Sequence, residues 1–352
     1  MSNTKELSSS LLSMDIAQEE EPEWLIRGYV PKYQITSMVG DGGSGKTTAW
    51  CSLVAEISSG KRPFLLGQPS GLDLYEFNPQ KVLFFSAEDS YKYVLRKKLR
   101  LGGANLENIM TMDISDERFK RVKFNDSFLE QLIAEHRPAL VVFDPIQAFI
   151  PENIRMSERN AMRSCMEPLI EYGEKYGCTF LVVVHTNKMS GVWGRKRMAD
   201  SSDLWDISRS VLMVGETSEK GIRYVSHEKS NNGPLESTVL FSITDDIVEY
   251  KGLSDKKDKD FVTAAVQAVK QAPAKDEAKK FILDFLKDGE KEISEVDEMA
   301  KAMGIAQHTL RRAKEELRAE NKAKAFSRGF KPKKWYISLT QCENMDKYRE
   351  KH

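Results

Sequence analysis

Residues 40–47 read Gly-Asp-Gly-Gly-Ser-Gly-Lys-Thr and match the pattern G-x-x-x-x-G-K-[ST]. An apolar, β-branched run precedes this stretch, and apolar residues at helical spacing follow it as far as Ile57. Glycines permit a turn whose backbone N–H groups point at an anion, and the first turn of the next helix adds unpaired N–H groups. The sequence therefore predicts a phosphate-binding loop between a strand and a helix. The predicted nucleotide ligands are Gly40, Asp41, Gly42, Gly43, Ser44, Gly45, Lys46, Thr47 and Thr48.

Short apolar runs alternate with amphipathic stretches from Ile35 to about Tyr250, which predicts strand–helix crossover units and an α/β fold. The first four runs are almost entirely apolar, as strands buried on both faces of a mostly parallel sheet are. The last runs lie close together with turns between them, which favours an antiparallel edge. The runs are 35–39, 81–87, 139–144, 179–185, 210–216, 222–229 and 237–243.

The composition of the sequence changes near Lys251, where a charged stretch begins and is followed by an alanine-rich one. From Asp276 onward, three helical patterns are followed by two short strand patterns, an order typical of a winged helix. We therefore expect a small second domain. The predicted organisation is a disordered tail at 1–21, an α/β domain at 22–250, a linker at 251–275 that could be partly helical, a winged helix at 276–340 and a tail at 341–352.

Composition limits the function less than the motifs do. The chain of 352 residues carries 53 basic and 53 acidic side chains, so any argument for nucleic acid must be local. Its four cysteines fit no metal or disulfide spacing, and no apolar run is long enough to span a membrane. These features favour a cytoplasmic protein.

Two residues of the loop and one strand-terminal carboxylate form a candidate metal and phosphate site. Lys46 would contact the β- and γ-phosphates, and the Thr47 hydroxyl would ligate Mg²⁺. Asp144 closes the apolar run Ala139–Asp144 and would hold Mg²⁺ through water. The alternative for Asp144 is a residue that only caps the next segment.

Further polar residues follow two other predicted strands. Glu88 could polarise the attacking water as a general base, with Asp89 as an adjacent competitor that could instead cap a helix. His185 and Asn187 end the fourth run, where a polar group could sense the γ-phosphate. A purely structural His185 is the alternative.

The order of these motifs resembles RecA-type ATPases, most closely the plasmid and phage RepA-like branch that is related to DnaB-type replicative helicases. The resemblance covers roughly residues 22–250. It implies a RecA-like P-loop NTPase core, ATP and Mg²⁺ as cofactors, and hydrolysis at the subunit interfaces of a homo-oligomer, usually a hexameric ring. The segments that carry it are 40–47, 84–90, 140–150 and 182–188, together with the lead-in at 22–40 and the segment 201–214.

In such a ring a neighbouring subunit inserts a cation at the γ-phosphate. Arg209 lies in the segment that bears an arginine in the family. Lys229 lies where DnaB-like helicases carry a Lys-x-Arg pair, but this chain has Asn231 in place of the arginine. Both Arg209 and Lys229 are therefore candidates for the trans-acting cation, and a structural salt bridge is the alternative for Arg209.

Two basic regions predict DNA contacts. The segment 188–203 contains glycines and Trp193, which suits the backbone and bases of single-stranded DNA, although a solvated loop is the alternative. Between Ile305 and Leu339 ten basic and three acidic residues give a local charge of plus seven. A winged helix there would contact phosphates, and its third helix begins with Gln307, His308 and Thr309, within reach of base edges; protein contact alone is the alternative. The predicted DNA-binding residues are Lys188, Arg195, Lys196, Arg197, Arg311, Arg312 and Lys314.

The sequence thus predicts a Mg²⁺-dependent ATPase that acts on DNA, such as a hexameric helicase or replication ATPase of a plasmid, phage or other mobile element. A nucleotide-switched DNA-binding regulator or helicase loader without unwinding is the first alternative. A P-loop small-molecule kinase is the second, and it gives no role to the winged helix.

Overall fold

The computed structural model describes residues 19–69, 76–156, 158–187, 191–198, 202–329 and 333–340. The predicted C-terminal tail and most of the predicted N-terminal tail lie outside these ranges. The chain divides into two compact units, Met1–Val262 and Thr263–His352.

The first unit is built on a nine-stranded sheet. A short antiparallel pair, β1 (Trp24–Ile26) and β2 (Val30–Pro31), precedes it. The sheet strands are β3 (Ile35–Gly40), β4 (Val82–Ser86), β5 (Ile109–Thr111), β6 (Leu140–Asp144), β7 (Thr179–His185), β8 (Ser210–Glu216), β9 (Ile222–Ser230), β10 (Thr238–Thr244) and β11 (Ile247–Ser254). The helices are α1 (Lys46–Ser59), α2 (Arg96–Leu101), α3 (Ser127–His136), α4 (Arg159–Tyr176) and α5 (Ser202–Ile207).

The strand order is β11-β10-β9-β8-β3-β7-β6-β4-β5. The strands from β8 to β5 pair in parallel, and β9, β10 and β11 form an antiparallel edge. The predicted fold class, a mostly parallel sheet flanked by helices around a P-loop, is confirmed. All residues of β3, β4 and β6 are buried, as their continuous apolar runs require.

Alternate residues of each strand point into two separate cores. Met38, Phe84 and Val142 pack with α1 and α2 on one face of the sheet. Val39 and Phe143 pack with α3, α4 and α5 on the other. The two-residue period of a strand therefore builds both layers from the same apolar runs.

The second unit combines helices with a small antiparallel sheet. Its core joins apolar residues from all its helices, with Ile282, Val296, Leu310 and Ile337 fully or almost fully buried. The order of elements agrees with the three helices and hairpin that the sequence predicts, with one additional short strand. Beyond the long helix α6 (Asp258–Phe285), the elements are β12 (Lys291–Glu292), α7 (Ile293–Ala302), α8 (Gln307–Ala319), β13 (Ala323–Arg328) and β14 (Lys334–Leu339).

The segment 251–275, predicted as a linker that could be partly helical, consists largely of regular secondary structure. The strand β11 continues to Ser254, and α6 runs without interruption from Asp258 to Phe285. Alanine, lysine, glutamine and glutamate are good helix formers, so a charged, alanine-rich composition serves a helix as well as a linker. No helix in the described part of the chain is both long and apolar enough to cross a membrane.

One carboxyl group of α1, that of Glu56, is largely buried and forms no ion pair with a described residue. Glu56 accepts a hydrogen bond from the Ser52 hydroxyl at 3.1 Å, while its Oε2 atom is buried with no hydrogen-bond partner among the described residues. Burial raises the pKa of Glu56 to about 8, against the lowering effect of the Phe64 backbone N–H and Ser52. The folded state therefore holds a proton here that the unfolded chain releases near pH 4.5.

This difference makes the stability of the fold depend on pH. Since the folded pKa is raised, the stabilisation is fully present below pH 4.5 and is lost as pH rises towards 8, by about 1.4 kcal/mol per pH unit. We expect Glu56→Gln, which stays neutral, to gain about 2–3 kcal/mol over the parent protein between pH 5.5 and 7.5. Urea unfolding of both proteins across this range measures the difference. Parallel stability profiles for the two proteins would contradict the buried, protonated Glu56.

Candidate nucleotide-binding site

The glycine-rich loop joins the carboxyl end of β3, the central strand, to the first turn of α1. Gly43 and Gly45 have φ angles of 79° and 97°, a region that favours glycine. Gly45 is the N-cap of α1, and no side chain caps this helix end. The loop therefore leaves helical N–H groups and a positive dipole end open to an anion, as the sequence predicted.

Lys46 is almost fully buried at the start of α1. Its Nζ donates to the carbonyl oxygens of Gly40 at 2.8 Å and Asp41 at 2.7 Å. Burial lowers the pKa of the Lys46 ammonium, and the nearby carboxylates of Asp144 and Asp41 partly oppose this. The ammonium thus lies inside the loop, where a phosphate would supply the negative charge that two neutral carbonyls do not.

Asp144 ends β6 and is 3 % exposed. The indole Nε1 of Trp50, one helical turn after Lys46, donates to its Oδ2 at 2.8 Å. Burial, together with the carboxylates of Glu88 and Asp89, raises the pKa of Asp144 to about 6 against the opposing effect of the Trp50 hydrogen bond. An additional cation would relieve this cluster of negative charge.

These donors suit Mg²⁺, which binds proteins through one or two oxygen ligands and keeps several waters. Asp144 offers an oxygen that Trp50 does not use, and the half-buried Thr47 hydroxyl has no hydrogen-bond partner in the described ranges. The described residues contain no cluster of three or more His, Cys, Asp or Glu side chains that could hold a metal alone. The residues therefore fit a metal that shares its ligands with a phosphate.

Glu88 and His185 lie together at the ends of β4 and β7. Their Oε1 and Nε2 atoms are 3.1 Å apart, with Glu88 54 % and His185 35 % exposed. The backbone N–H of Asp89 donates to the Ser86 hydroxyl at 3.2 Å, which agrees with a local turn role for that residue. The carboxylates of Glu88 and Asp89 both raise the pKa of the buried Asp144. The structure thus brings Glu88, His185 and Asp144 to one edge of the sheet.

Arg197 does not have the exposed position that a DNA contact requires. The residue is 7 % exposed, and its guanidinium binds Asp41 of the loop at 2.6 Å and the fully buried Asp258 at the start of α6. Burial raises the pKa of Asp41, but the hydrogen bonds of Thr186 and Arg197 outweigh it and hold that pKa below its usual value. The prediction of Arg197 as a DNA ligand is therefore wrong, because its charge is used between two carboxylates.

The two candidate trans-acting cations lie at the opposite edge of the sheet. The Arg209 backbone N–H donates to the Ile35 carbonyl at 2.9 Å, at the amino end of β3, and its side chain is exposed. Five residue steps along β3, from Ile35 to Gly40, separate this edge from the loop, about 17 Å at about 3.3 Å per step. Arg209 therefore cannot reach the loop of its own chain, and its predicted role in trans stays a prediction beside a structural salt bridge.

Lys229 has a structural role inside its own chain. Its Nζ donates to the carbonyl oxygens of Trp205, Asp206 and Ser208 at 2.8, 3.0 and 2.7 Å. Burial lowers the pKa of this ammonium. Because its three donors already serve the carbonyl end of α5, the prediction of Lys229 as a trans-acting cation is contradicted.

The basic loop after β7 separates into residues with different environments. Lys188 lies outside the described residues. Arg195 pairs with Asp206 at 2.6 Å, and Lys196 is exposed. Trp193 is 43 % exposed, with the Lys259 ammonium 5.4 Å from its ring centre. Lys196 and Trp193 thus keep the exposure that their predicted role requires.

The third helix of the small unit divides its basic residues in the same way. Arg311 and Arg312 are exposed, and the Arg311 side chain is 76 % accessible. Lys314 is 7 % exposed and pairs with Asp297 of α7 at 2.5 Å. The prediction of Lys314 as a DNA ligand is therefore wrong, since it faces α7. A groove of about 540 Å³ runs beside these residues and is also lined by Gln307 and His308.

Three residues of the site are not among those that the sequence motifs predict. Trp50 holds Asp144, and Thr186 donates to Asp41. Lys98 donates to the Thr48 hydroxyl at 3.0 Å and to Asp246 at 2.7 Å, so Thr48 already has a partner. For Trp50, the available signal in the sequence was its position four residues after Lys46, on the same face of one helix. The others depend on contacts between distant segments.

Comparisons with known proteins identify the loop-bearing half of the chain. A family model described as an AAA domain matches residues 2–191, more than half of the 352 residues. Among solved structures, the RadB recombinase is 21 % identical, covers 64 % of this chain and 93 % of its own, and has a TM-score of 0.44. A KaiC-like protein of the hyperthermophilic archaeon Pyrococcus horikoshii is 17 % identical, covers 67 % and 98 %, and has a TM-score of 0.45. No curated protein matches the chain.

Arg197 and Lys196 are adjacent, but their environments predict effects of very different size when each is substituted. Arg197→Met leaves the fully buried Asp258 without its ion-pair partner, which should cost about 3–5 kcal/mol of unfolding free energy. Lys196→Met removes an exposed charge and should change it by less than about 0.5 kcal/mol. Chemical unfolding of both variants measures the difference. Equal stability of the two would contradict the structural role given to Arg197.

Proposed function

The chain belongs to the AAA domain family, a family of P-loop ATPases, and from this we propose that it is a Mg²⁺-dependent ATP hydrolase that acts on DNA. One observation carries the proposal. Lys46 begins α1 at the carboxyl end of β3, while Asp144, Glu88 and His185 lie at the ends of the parallel strands beside it. A phosphate site, a metal ligand and a candidate base therefore share one sheet edge.

The residues of the site have distinct roles in the proposed reaction. The loop N–H groups and Lys46 hold the β- and γ-phosphates, and Thr47 and Asp144 hold the metal. When bound, Mg²⁺ neutralises charge on the phosphates. Glu88 orients and polarises the attacking water, and its hydrogen bond to His185 orients the carboxylate.

We propose a homo-oligomeric ring in which Arg209 of a neighbouring chain completes the site. Its exposure and its distance from the loop of its own chain support a role in trans. Head-to-tail contacts that close on themselves place one such residue at every interface. The motif order in the sequence supports a hexamer and the RepA-like helicase branch, in which the protein would serve replication of a plasmid, phage or other mobile element.

The proposed partner is DNA, at two surfaces. The exposed Trp193 and Lys196 suit single-stranded DNA, whose bases stack and whose backbone needs cations. In the second unit, which we propose to be a winged helix, the exposed face of α8 carries Arg311, Arg312 and Arg318. This face suits duplex phosphates.

A second candidate function is a nucleotide-switched DNA-binding regulator or helicase loader. One observation favours it: neither position of the Lys-x-Arg pair offers a cation to a neighbouring chain, because Asn231 stands in place of the arginine and Lys229 donates to carbonyl oxygens at the end of α5. Hydrolysis would then be slow. Unwinding of a forked duplex in the presence of ATP separates the two functions, because only the helicase releases the displaced strand.

The catalytic assignment predicts different defects at three positions. Lys46→Ala should abolish ATP binding, whereas Glu88→Gln should keep binding and lower the hydrolysis rate about 10²–10⁴-fold, because the general base is lost. Asp89→Asn is the matched control and should hydrolyse ATP at nearly the parental rate. Phosphate release from labelled ATP measures hydrolysis. A large defect in Asp89→Asn with none in Glu88→Gln would reverse the assignment, and transfer of label to another molecule would indicate a kinase.

The two environments on α8 predict separable effects on DNA binding and stability. Arg311→Gln should weaken duplex binding about threefold to tenfold and flatten its salt dependence, because one phosphate contact is lost. It should leave the melting temperature unchanged. Lys314→Gln should lower the melting temperature by breaking the pair with Asp297. DNA titrations at two salt concentrations and thermal melts check both; unchanged binding in Arg311→Gln would remove α8 from the interface.

A further inference from the structure

One arginine near the loop was not singled out by any motif. Arg223 lies near the start of β9 and pairs across the sheet with Glu216, the last residue of β8. Because β8 runs parallel to β3, Glu216 and Arg223 lie at the same sheet edge as the phosphate-binding loop. The antiparallel edge strands therefore bring a cation to the loop within the same chain.

Arg223 packs directly against the N-cap of α1. A Cβ atom added to Gly45 would lie 3.1 Å from the Arg223 Cδ and 3.3 Å from its Nε. The same atom would lie 2.8 Å from the Ile243 Cδ1. The loop glycine thus has two neighbours, one cationic and one apolar, on the side where a helix N-terminus receives anions.

Two buried polar atoms beside Gly45 form no hydrogen bond with any described residue. The Arg223 Nε is buried and has no hydrogen-bond partner among the residues that the structure describes. Ser44, which is 4 % exposed, also has a buried hydroxyl with no partner in those ranges. A buried donor that stays unsatisfied is destabilising, so two such groups beside one helix end call for an acceptor.

The ion pair with Glu216 does not supply that acceptor. It joins an Arg223 terminal nitrogen to Glu216 at 3.2 Å, and the Glu216 side chain is 63 % exposed. Such a pair is screened by solvent and contributes little. It also leaves the Nε donor without a partner, since that atom faces Gly45 rather than solvent.

We propose that Arg223 binds phosphate oxygens of the nucleotide held by the loop of its own chain. The inference rests on the proposed nucleotide binding and adds a ligand to it. Its guanidinium would supply charge-assisted hydrogen bonds from β9, beside Gly45 at the start of α1. It is thus a cis-acting counterpart of the cation that Arg209 provides in trans.

The test measures binding of ADP and of inorganic pyrophosphate to the full-length chain by calorimetry. Arg223→Gln should weaken both ligands at least about tenfold, because the lost contact is to phosphate and not to the base. Glu216→Gln breaks the same ion pair and should bind both ligands as the parent does. Arg163→Gln, an exposed arginine of α4, controls for loss of an arginine elsewhere.

The outcomes separate this inference from the proposed function. Parental affinity of Arg223→Gln for both ligands, alongside loss of binding in Lys46→Ala, overturns the role of Arg223 alone. Weakened ADP binding with unchanged pyrophosphate binding also overturns it, since the contact would then be to the nucleoside. Equal weakening in Glu216→Gln assigns the effect to the ion pair. Absence of ADP and pyrophosphate binding in the parent overturns the nucleotide site itself.

Discussion

Convergence of parallel strands at one edge is the constraint on which the site depends. The strands β3, β4, β6 and β7 run side by side in parallel, so the residues that follow them share a single edge of the sheet. Lys46, Glu88, Asp144 and His185 are far apart in sequence and meet there. The burial of these strands on both faces fixes their direction and register, because a shift of one residue would exchange the two cores.

This edge of the sheet carries a cluster of four carboxylates. Asp41, Glu88, Asp89 and Asp144 all lie there, and burial together with the neighbouring carboxylates raises the pKa of Asp144 to about 6. Trp50, Arg197 and Lys46 compensate part of this charge. A metal and a nucleotide would complete the balance together, which agrees with a site that binds the two as one unit.

Burial separates basic residues that composition treats alike. Arg197 and Lys196 are adjacent, yet the first joins two carboxylates inside the protein and the second is exposed. Lys314 and Arg311 differ in the same way on one helix, because Lys314 lies against α7 and pairs with Asp297 while Arg311 is exposed to solvent. The sequence predicts the excess of positive charge in these regions. It does not predict which basic residues are exposed and which are buried in ion pairs.

Local patterns determined much of this protein: the loop at 40–47, the four apolar strands, the strand-terminal Asp144 and the order of elements in the second unit follow from spacing and periodicity alone. The full extent of the helix at 258–285 did not follow from the sequence, because an alanine-rich, charged composition fits a linker and a helix equally. Only the tertiary structure paired Trp50 with Asp144, Arg197 with Asp41 and Asp258, Lys229 with α5 and Arg223 with Gly45. These contacts join residues whose distance along the chain bears no relation to their distance in space, since strand order and burial, not sequence spacing, decide which side chains meet.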